Sequence, residues 1–330
     1  MAGSGTAHLQ DDGDVVLRVE DLNVEFPIGQ GRVVQAVSGI SFDIRRGETV
    51  GLVGESGCGK STTGRAVLQL PRPTSGTVTF DGVDLGTLSD EALRQTRVRM
   101  QMILQDPVSS LNPRRTIRQI VGEGLTIWGR QDGRDARIDE VLVSVGLDPA
   151  FVRDRRPHQF SGGQCQRICI ARALALEPEL LVCDEPVSSL DVSVQAQLLN
   201  LLRDMKAAYG LTVMFIAHDL AVVKNISDRV IVMYLGKICE VASADTLFET
   251  AAHPYTRALV DAIPNPDPRR SVPAVGLRGE LPSPLSPPSG CRFRTRCPLA
   301  TEVCAVEEPQ LRAVGDGHFV ACHHAGSVME

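Results

Sequence analysis

Residues 49–61, reading Thr-Val-Gly-Leu-Val-Gly-Glu-Ser-Gly-Cys-Gly-Lys-Ser, restrict the fold more than any other part of the chain. Thr49–Val53 is a short aliphatic run, the pattern of a buried strand. Behind it, Gly54 to Ser61 fits G-x-x-x-x-G-K-S/T between a predicted strand and a predicted helix, the context in which the motif has meaning. Glycines let such a loop turn tightly, so that its N–H groups converge on an anion at a helix N-terminus. On this reading Gly54, Glu55, Ser56, Gly57, Cys58, Gly59 and Thr62 shape a phosphate cradle. Lys60 would reach β- and γ-phosphates, and the Ser61 hydroxyl would bind Mg²⁺. A chance glycine-rich turn is the alternative that this context disfavours.

Two further runs, Leu180–Cys183 and Leu211–Ala217, share the character of Thr49–Val53 and suit strands buried on both faces of a parallel sheet. Ligands of such sheets collect at the carboxyl ends of the strands. Val15 to Phe26 and Val33 to Ile44 alternate apolar and polar residues around a glycine-containing turn and predict antiparallel strands. Residues 90–175 are mostly helical in periodicity and predict an inserted helical subdomain. Ser193 to Tyr209 repeats apolar residues at helical spacing and stops at Gly210. The predicted class is therefore α/β. No internal repeat is present.

The bulk chemistry excludes several functions. The net charge is −6, with no long basic run, which argues against nucleic acid as a partner. No apolar stretch approaches the ~18 residues that a membrane span needs. Residues 1–14 hold no Lys or Arg and no apolar centre, so they read as a disordered tail without an export signal. Cysteines inside apolar patterns (Cys165, Cys169, Cys183, Cys239) read as packing thiols of a reduced compartment.

At the end of the second run stand Asp184 and Glu185. Asp184 can hold Mg²⁺, and Glu185 is placed to polarise an attacking water. The competing reading makes the pair a helix cap. About twenty residues earlier lies Ser161-Gly-Gly-Gln-Cys-Gln-Arg167. A Ser-Gly-Gly turn opening a helix presents N–H groups and a hydroxyl to an anion. Here the chain resembles the ATP-binding-cassette family, whose signature is typically L-S-G-G-Q, with Phe160 in place of the usual Leu. The resemblance covers residues 16–250 and implies a RecA-like parallel core, an antiparallel β subdomain and an inserted helical subdomain. It implies that Ser161, Gly162, Gly163 and Gln164 close on ATP bound to a second subunit. It also implies that Gln105 senses Mg²⁺ and water, that His218 contacts the γ-phosphate, and that Ser189-Leu190-Asp191 crosses the dimer interface. Phe26 would stack on adenine, with a core Phe of the hairpin as the alternative. The Mg²⁺ ligands would be Ser61, Gln105 and Asp184, and the catalytic residues Glu185, His218 and Gln105.

His253-Pro-Tyr-Thr-Arg-Ala-Leu259 and the prolines after it resemble the C-terminal extension of oligopeptide and dipeptide permease ATPases. Glu55-Ser-Gly-Cys58 and Ser110-Leu-Asn-Pro-Arg114 resemble the F-type subunit. The chain thus divides into a tail (1–14), an ATPase domain (15–252) and an extension (253–330) with a proline-rich connector at 263–290. The resemblance implies a D-type ATPase partner, two permease subunits and an extracytoplasmic solute-binding protein. It places the chain peripherally at the cytoplasmic face of the membrane. Nickel or another solute, or a non-transport cassette protein, are the alternative functions. Cys291, Cys297, Cys304 and Cys322 lack the close pairs of zinc knuckles. Their wider spacing suits a 4Fe–4S cluster, with zinc or unligated thiols as alternatives.

Overall fold

A computed structural model describes residues 5–10, 12–188, 190–263 and 279–325. The chain forms two compact units, Met1–Leu88 with Ile216–Glu330, and Ser89–Phe215.

In the first unit, β1 (Val15–Pro27) and β2 (Val33–Arg45) pair antiparallel as their alternation predicts, with Val19 opposite Phe42. Leu17, Val19, Leu22 and Val24 turn inward along β1 and are buried. β3 (Thr49–Val53), buried throughout, runs into the glycine loop and α1 (Lys60–Val67). β4 (Ser75–Phe80) and β5 (Val83–Asp84) complete a sheet ordered β2-β1-β4-β5.

The second unit opens with α2 (Asp90–Thr96), capped by Ser89, followed by β6 (Met100–Ile103). Helices α3 (Ile117–Val121), α4 (Glu123–Ile127), α5 (Arg134–Ser144) and α6 (Pro149–Val152) lead to α7 (Gly162–Leu174). β7 (Leu180–Asp184), α8 (Val192–Tyr209) and β8 (Thr212–Ala217) follow, and α8 stops where Gly210 turns left-handed at φ 63°. The segment predicted as helical therefore contains a strand. Four residues are too short for periodicity to reveal β6, and its parallel pairing with β7, Ile103 opposite Cys183, creates it.

Returning to the first unit, α9 (Leu220–Ile226) lies against β3, because Gly51 has no Cβ; one would sit 2.3 Å from Val223 Cγ1. β9 (Arg229–Tyr234) is parallel to β3, and β10 (Lys237–Ser243) is antiparallel to β9. After α10 (Ala244–Thr250), α11 (Pro254–Asp261) and α12 (Val303–Val306) come β11 (Arg312–Gly315) and β12 (His318–Val320). β12 adds to β10, with Glu240 opposite Val320, so the extension is sewn into the first unit instead of standing apart. Most of the expected connector, residues 264–278, lies outside the described residues.

The N-terminal expectation needs correction. His8 is 2% exposed, and its Nε2 lies 2.6 Å from the Ser41 carbonyl. The Gln10 N–H donates to Asp43 at 2.6 Å. Polar composition suggested a disordered tail, but these two hydrogen bonds dock residues 8–10 on β2.

Candidate active site

The glycine loop is built as its sequence requires. Gly54 and Gly59 have φ of 153° and 106°. A Cβ at Gly54 would fall 2.1 Å from the Met233 carbonyl oxygen, and one at Gly59 2.2 Å from that of Ala36. Glycine alone permits so close an approach of two backbones. Cys58 is buried beneath the loop and its thiol is pushed up by burial, so it packs and does not react. Ser56 and Gly57 form the exposed tip, while Ser61 and Thr62 sit half-buried in the first turn of α1. Lys60 is 4% exposed and donates to the carbonyls of Gly54 at 2.8 Å and Glu55 at 3.0 Å, which holds the ammonium across the loop. A glycine cradle, a helix N-terminus and a fixed cation suit a polyphosphate. Phe26, at the end of β1 in the same unit, is 39% exposed and so is no core residue. His218 is exposed between β8 and α9.

In the second unit, the parallel pairing of β6 with β7 brings their carboxyl ends side by side. Asp184 ends β7 and is 1% exposed. Glu185 follows at φ 47°, an unusual conformation for a side-chain-bearing residue. The Gln105 side-chain amide donates to Glu185 Oε2 at 3.0 Å. A carboxylate only accepts, so Gln105 must turn Nε2 toward it and keep Oε1 for another donor or a hard cation. The Asp184 carboxylate and the Gln105 side-chain oxygen are ligands of the kind that Mg²⁺ takes. The capping alternative for Asp184 and Glu185 fails, because Asp191 caps α8 and accepts from Val194 N at 3.0 Å and Ser193 Oγ at 2.6 Å. These two hydrogen bonds hold its carboxyl below the usual range. Asp191, expected at a subunit interface, caps a helix of its own chain. Ser189 lies outside the described residues.

The signature segment forms a capping box. Ser161 Oγ accepts from Gln164 N at 3.3 Å, and the Gln164 side chain accepts from Ser161 N at 3.0 Å. Ser161, Gly162 and Gln164 are exposed at the start of α7. Gly163 is required by packing, since a Cβ there would meet Val194 Cγ1 at 2.7 Å.

Comparison with known proteins decides the identity. The ABC transporter family profile matches residues 37–188, and the profile for the oligopeptide/dipeptide transporter C-terminal region matches residues 239–304. The chain is 50% identical to the oligopeptide transport ATP-binding protein OppF of Salmonella typhimurium (strain LT2), over 93% of this chain and 96% of that one. It belongs to the ABC transporter family. Oligopeptide transport ATP-binding protein AppF of Bacillus subtilis (strain 168) is 48% identical over 94% of this chain and 97% of its own length. Among solved structures, cbiO1 of Clostridium perfringens, part of the ABC transporter complex cbiONQ, superposes with a TM-score of 0.64. It is 29% identical and covers 71% of this chain and 91% of its own. The cassette MJ0796, as a dimer in a post-hydrolysis state with ADP and Pi, gives 0.63 at 28% identity, over 69% and 98% of the two chains. The chain is thus an ABC ATPase.

The tail of this ABC protein departs from expectation. Cys304 and Cys322 are buried, and Cys291 and Cys297 are half-buried. Burial pushes the Cys291 thiol up to about 11, and Cys304, Cys322 and Cys297 add to the rise, so the four thiols are neighbours. Among the described residues, however, no three His, Cys, Asp or Glu side chains converge to hold a metal ion. Cys322 Sγ instead accepts from His324 N at 3.3 Å, and Cys304 Sγ lies 3.7 Å from His324 Nε2. The 4Fe–4S expectation is therefore not supported. Sequence spacing counts four thiols but does not give their directions in space.

Two residues touching the phosphate loop escaped the sequence reading. Tyr255 accepts from the Glu55 N–H, and Arg296 pairs with the Glu55 carboxylate. Tyr255 lies within the permease-type motif that begins at His253, and Arg296 belongs to no motif. Nothing local in sequence links either to residue 55. No helix among the described residues is long and apolar enough to cross a membrane.

Proposed function

We propose that this ABC ATPase drives import of dipeptides and oligopeptides. The observation that carries this reading is near-full-length identity, about one residue in two, to proteins named for oligopeptide transport, joined to a matching C-terminal region. The complex would comprise this F-type chain, a D-type ATPase, two permease subunits and an extracytoplasmic solute-binding protein. The chain would then sit peripherally at the cytoplasmic face of the membrane.

ATP with Mg²⁺ is the substrate of the motor step. Lys60 and the loop amides would bind and orient the β- and γ-phosphates, and Phe26 would stack on the adenine. Ser61, Asp184 and Gln105 would supply the oxygens for Mg²⁺. Glu185, held by Gln105, would accept a proton from the attacking water, and His218 would steady the transferring phosphoryl. Ser161, Gly162, Gly163 and Gln164 would close on nucleotide held by the partner ATPase, with Asp191 beside them.

The test is ATPase activity of the co-purified membrane complex with solute-binding protein loaded with dipeptides, longer peptides or nickel. Stimulation by peptides supports the proposal. Stimulation by nickel alone, or purification without any permease, overturns it.

A further inference from the structure

Glu55 lies inside the phosphate loop, one residue after Gly54, and would face a polyanion. Its carboxylate is gripped from the C-terminal extension. Arg296 Nη1 donates to Oε2 at 2.5 Å and Nη2 to Oε1 at 3.1 Å, a two-pronged pair joining residues 241 apart in sequence. The Arg296 side chain is 5% exposed and that of Glu55 28%. The backbone of the same residue is held too, since the Glu55 N–H donates to the Tyr255 hydroxyl at 2.8 Å. The Glu55 carbonyl in turn accepts from Lys60. One loop residue thus links the extension to the phosphate-binding lysine.

The grip has a rigid base. Phe293 packs against Tyr234 and Tyr255 with ring centroids 5.2 and 5.4 Å away, and the Arg296 guanidinium lies 5.8 Å from the Tyr234 ring. Arg292 donates to the Leu235 carbonyl at 2.5 Å, next to Gly236, whose N–H donates to the Cys58 carbonyl at 2.8 Å. Loop, β9–β10 turn and extension are therefore one hydrogen-bonded assembly within the first unit.

We propose that the extension completes the nucleotide site: Arg296 and Tyr255 are positioning residues that act through Glu55 on the phosphate loop. Arg296 cancels a carboxylate that would otherwise repel the triphosphate. The fork also fixes the loop's entry, so that its N–H groups and Lys60 need little rearrangement when phosphate arrives. Tyr255 holds the Glu55 backbone in the same position. The inference rests on ATP binding at the loop and is independent of the imported solute.

The experiment is equilibrium binding of MgATP to the purified full chain, with Lys60→Ala as the check on loop binding. Loss of binding in that variant upholds the loop as the site. Arg296→Ala is expected to raise the Kd about tenfold or more, the scale of a charge-assisted pair at low exposure. Tyr255→Phe, which removes one hydroxyl, is expected to raise it about fivefold. The double variant Glu55→Gln with Arg296→Ala should regain most of the lost affinity, because no uncancelled carboxylate then faces the phosphates. A merely structural role would lower the bound fraction at saturation and leave Kd unchanged. Should Arg296→Ala fail to fold, Tyr255→Phe and the double variant carry the test. Wild-type Kd in both Arg296→Ala and Tyr255→Phe, or a double variant no tighter than Arg296→Ala, overturns the proposal.

Discussion

Gln105 donates its side-chain amide to Glu185 at 3.0 Å, joining the ends of β6 and β7 across 80 residues of chain. A carboxylate held this way is kept oriented, as a base must be before it accepts a proton. Glu185→Gln should lower the ATPase rate by about 10²–10⁴ while ATP binding is retained. Single-turnover hydrolysis beside a binding titration checks this, and normal turnover would remove Glu185 from the role of base.

Lys60→Ala should abolish tight ATP binding. Lys60 is buried and donates to two loop carbonyls, so the variant removes both the cation and the tie that holds the loop shape. Direct titration with a fluorescent ATP analogue reads the loss.

Gly59→Ala should destabilise the loop even without nucleotide. The φ of 106° suits glycine alone, and the new Cβ would meet the Ala36 carbonyl oxygen at 2.2 Å. A penalty of about 2–4 kcal/mol is expected from strain plus displacement of β2. Denaturant unfolding measures it, and an unchanged midpoint would mean the loop relaxes freely.

Arg229 anchors the base of the first unit. It donates to Asp43 Oδ1 at 2.8 Å and Glu48 Oε1 at 2.9 Å, with Asp43 fully buried. Arg229→Met removes the nearest counter-charge of two carboxylates, leaving Asp43 with Arg18 at 3.7 Å and Glu48 with a backbone N–H, and should cost about 3 kcal/mol. Adding Asp43→Asn to that variant should recover part of the loss, as read from thermal melts.

His253 makes the fold sensitive to acid. Burial lowers its pKa to about 4, against the opposing pull of Glu240, and its Nδ1 accepts from Tyr255 N at 3.0 Å, which demands the neutral ring. The unfolded chain, with an ordinary pKa near 6.5, takes up the proton first as pH falls. Stability is therefore full above about pH 6.5 and declines between 6.5 and 4, by roughly 3 kcal/mol in the limit. Melting temperatures from pH 7.5 to 5 should fall, and the fall should shrink in His253→Asn, which keeps a side-chain acceptor without the titration.

The sequence by itself determined the parts whose chemistry is contiguous. The phosphate loop, the acidic strand end, the signature turn and the stop of α8 at Gly210 each place donors and acceptors through a few adjacent residues, so residue type and spacing suffice. Only the tertiary structure could decide what distant residues do together. It made Met100–Ile103 a strand by pairing it with β7, docked His8 on β2 and wove β12 onto β10. It set Arg296 on Glu55 from 241 residues away. An ion pair or a metal cage is a statement about direction and distance in space, and these follow from the path of the folded backbone, which no local pattern encodes.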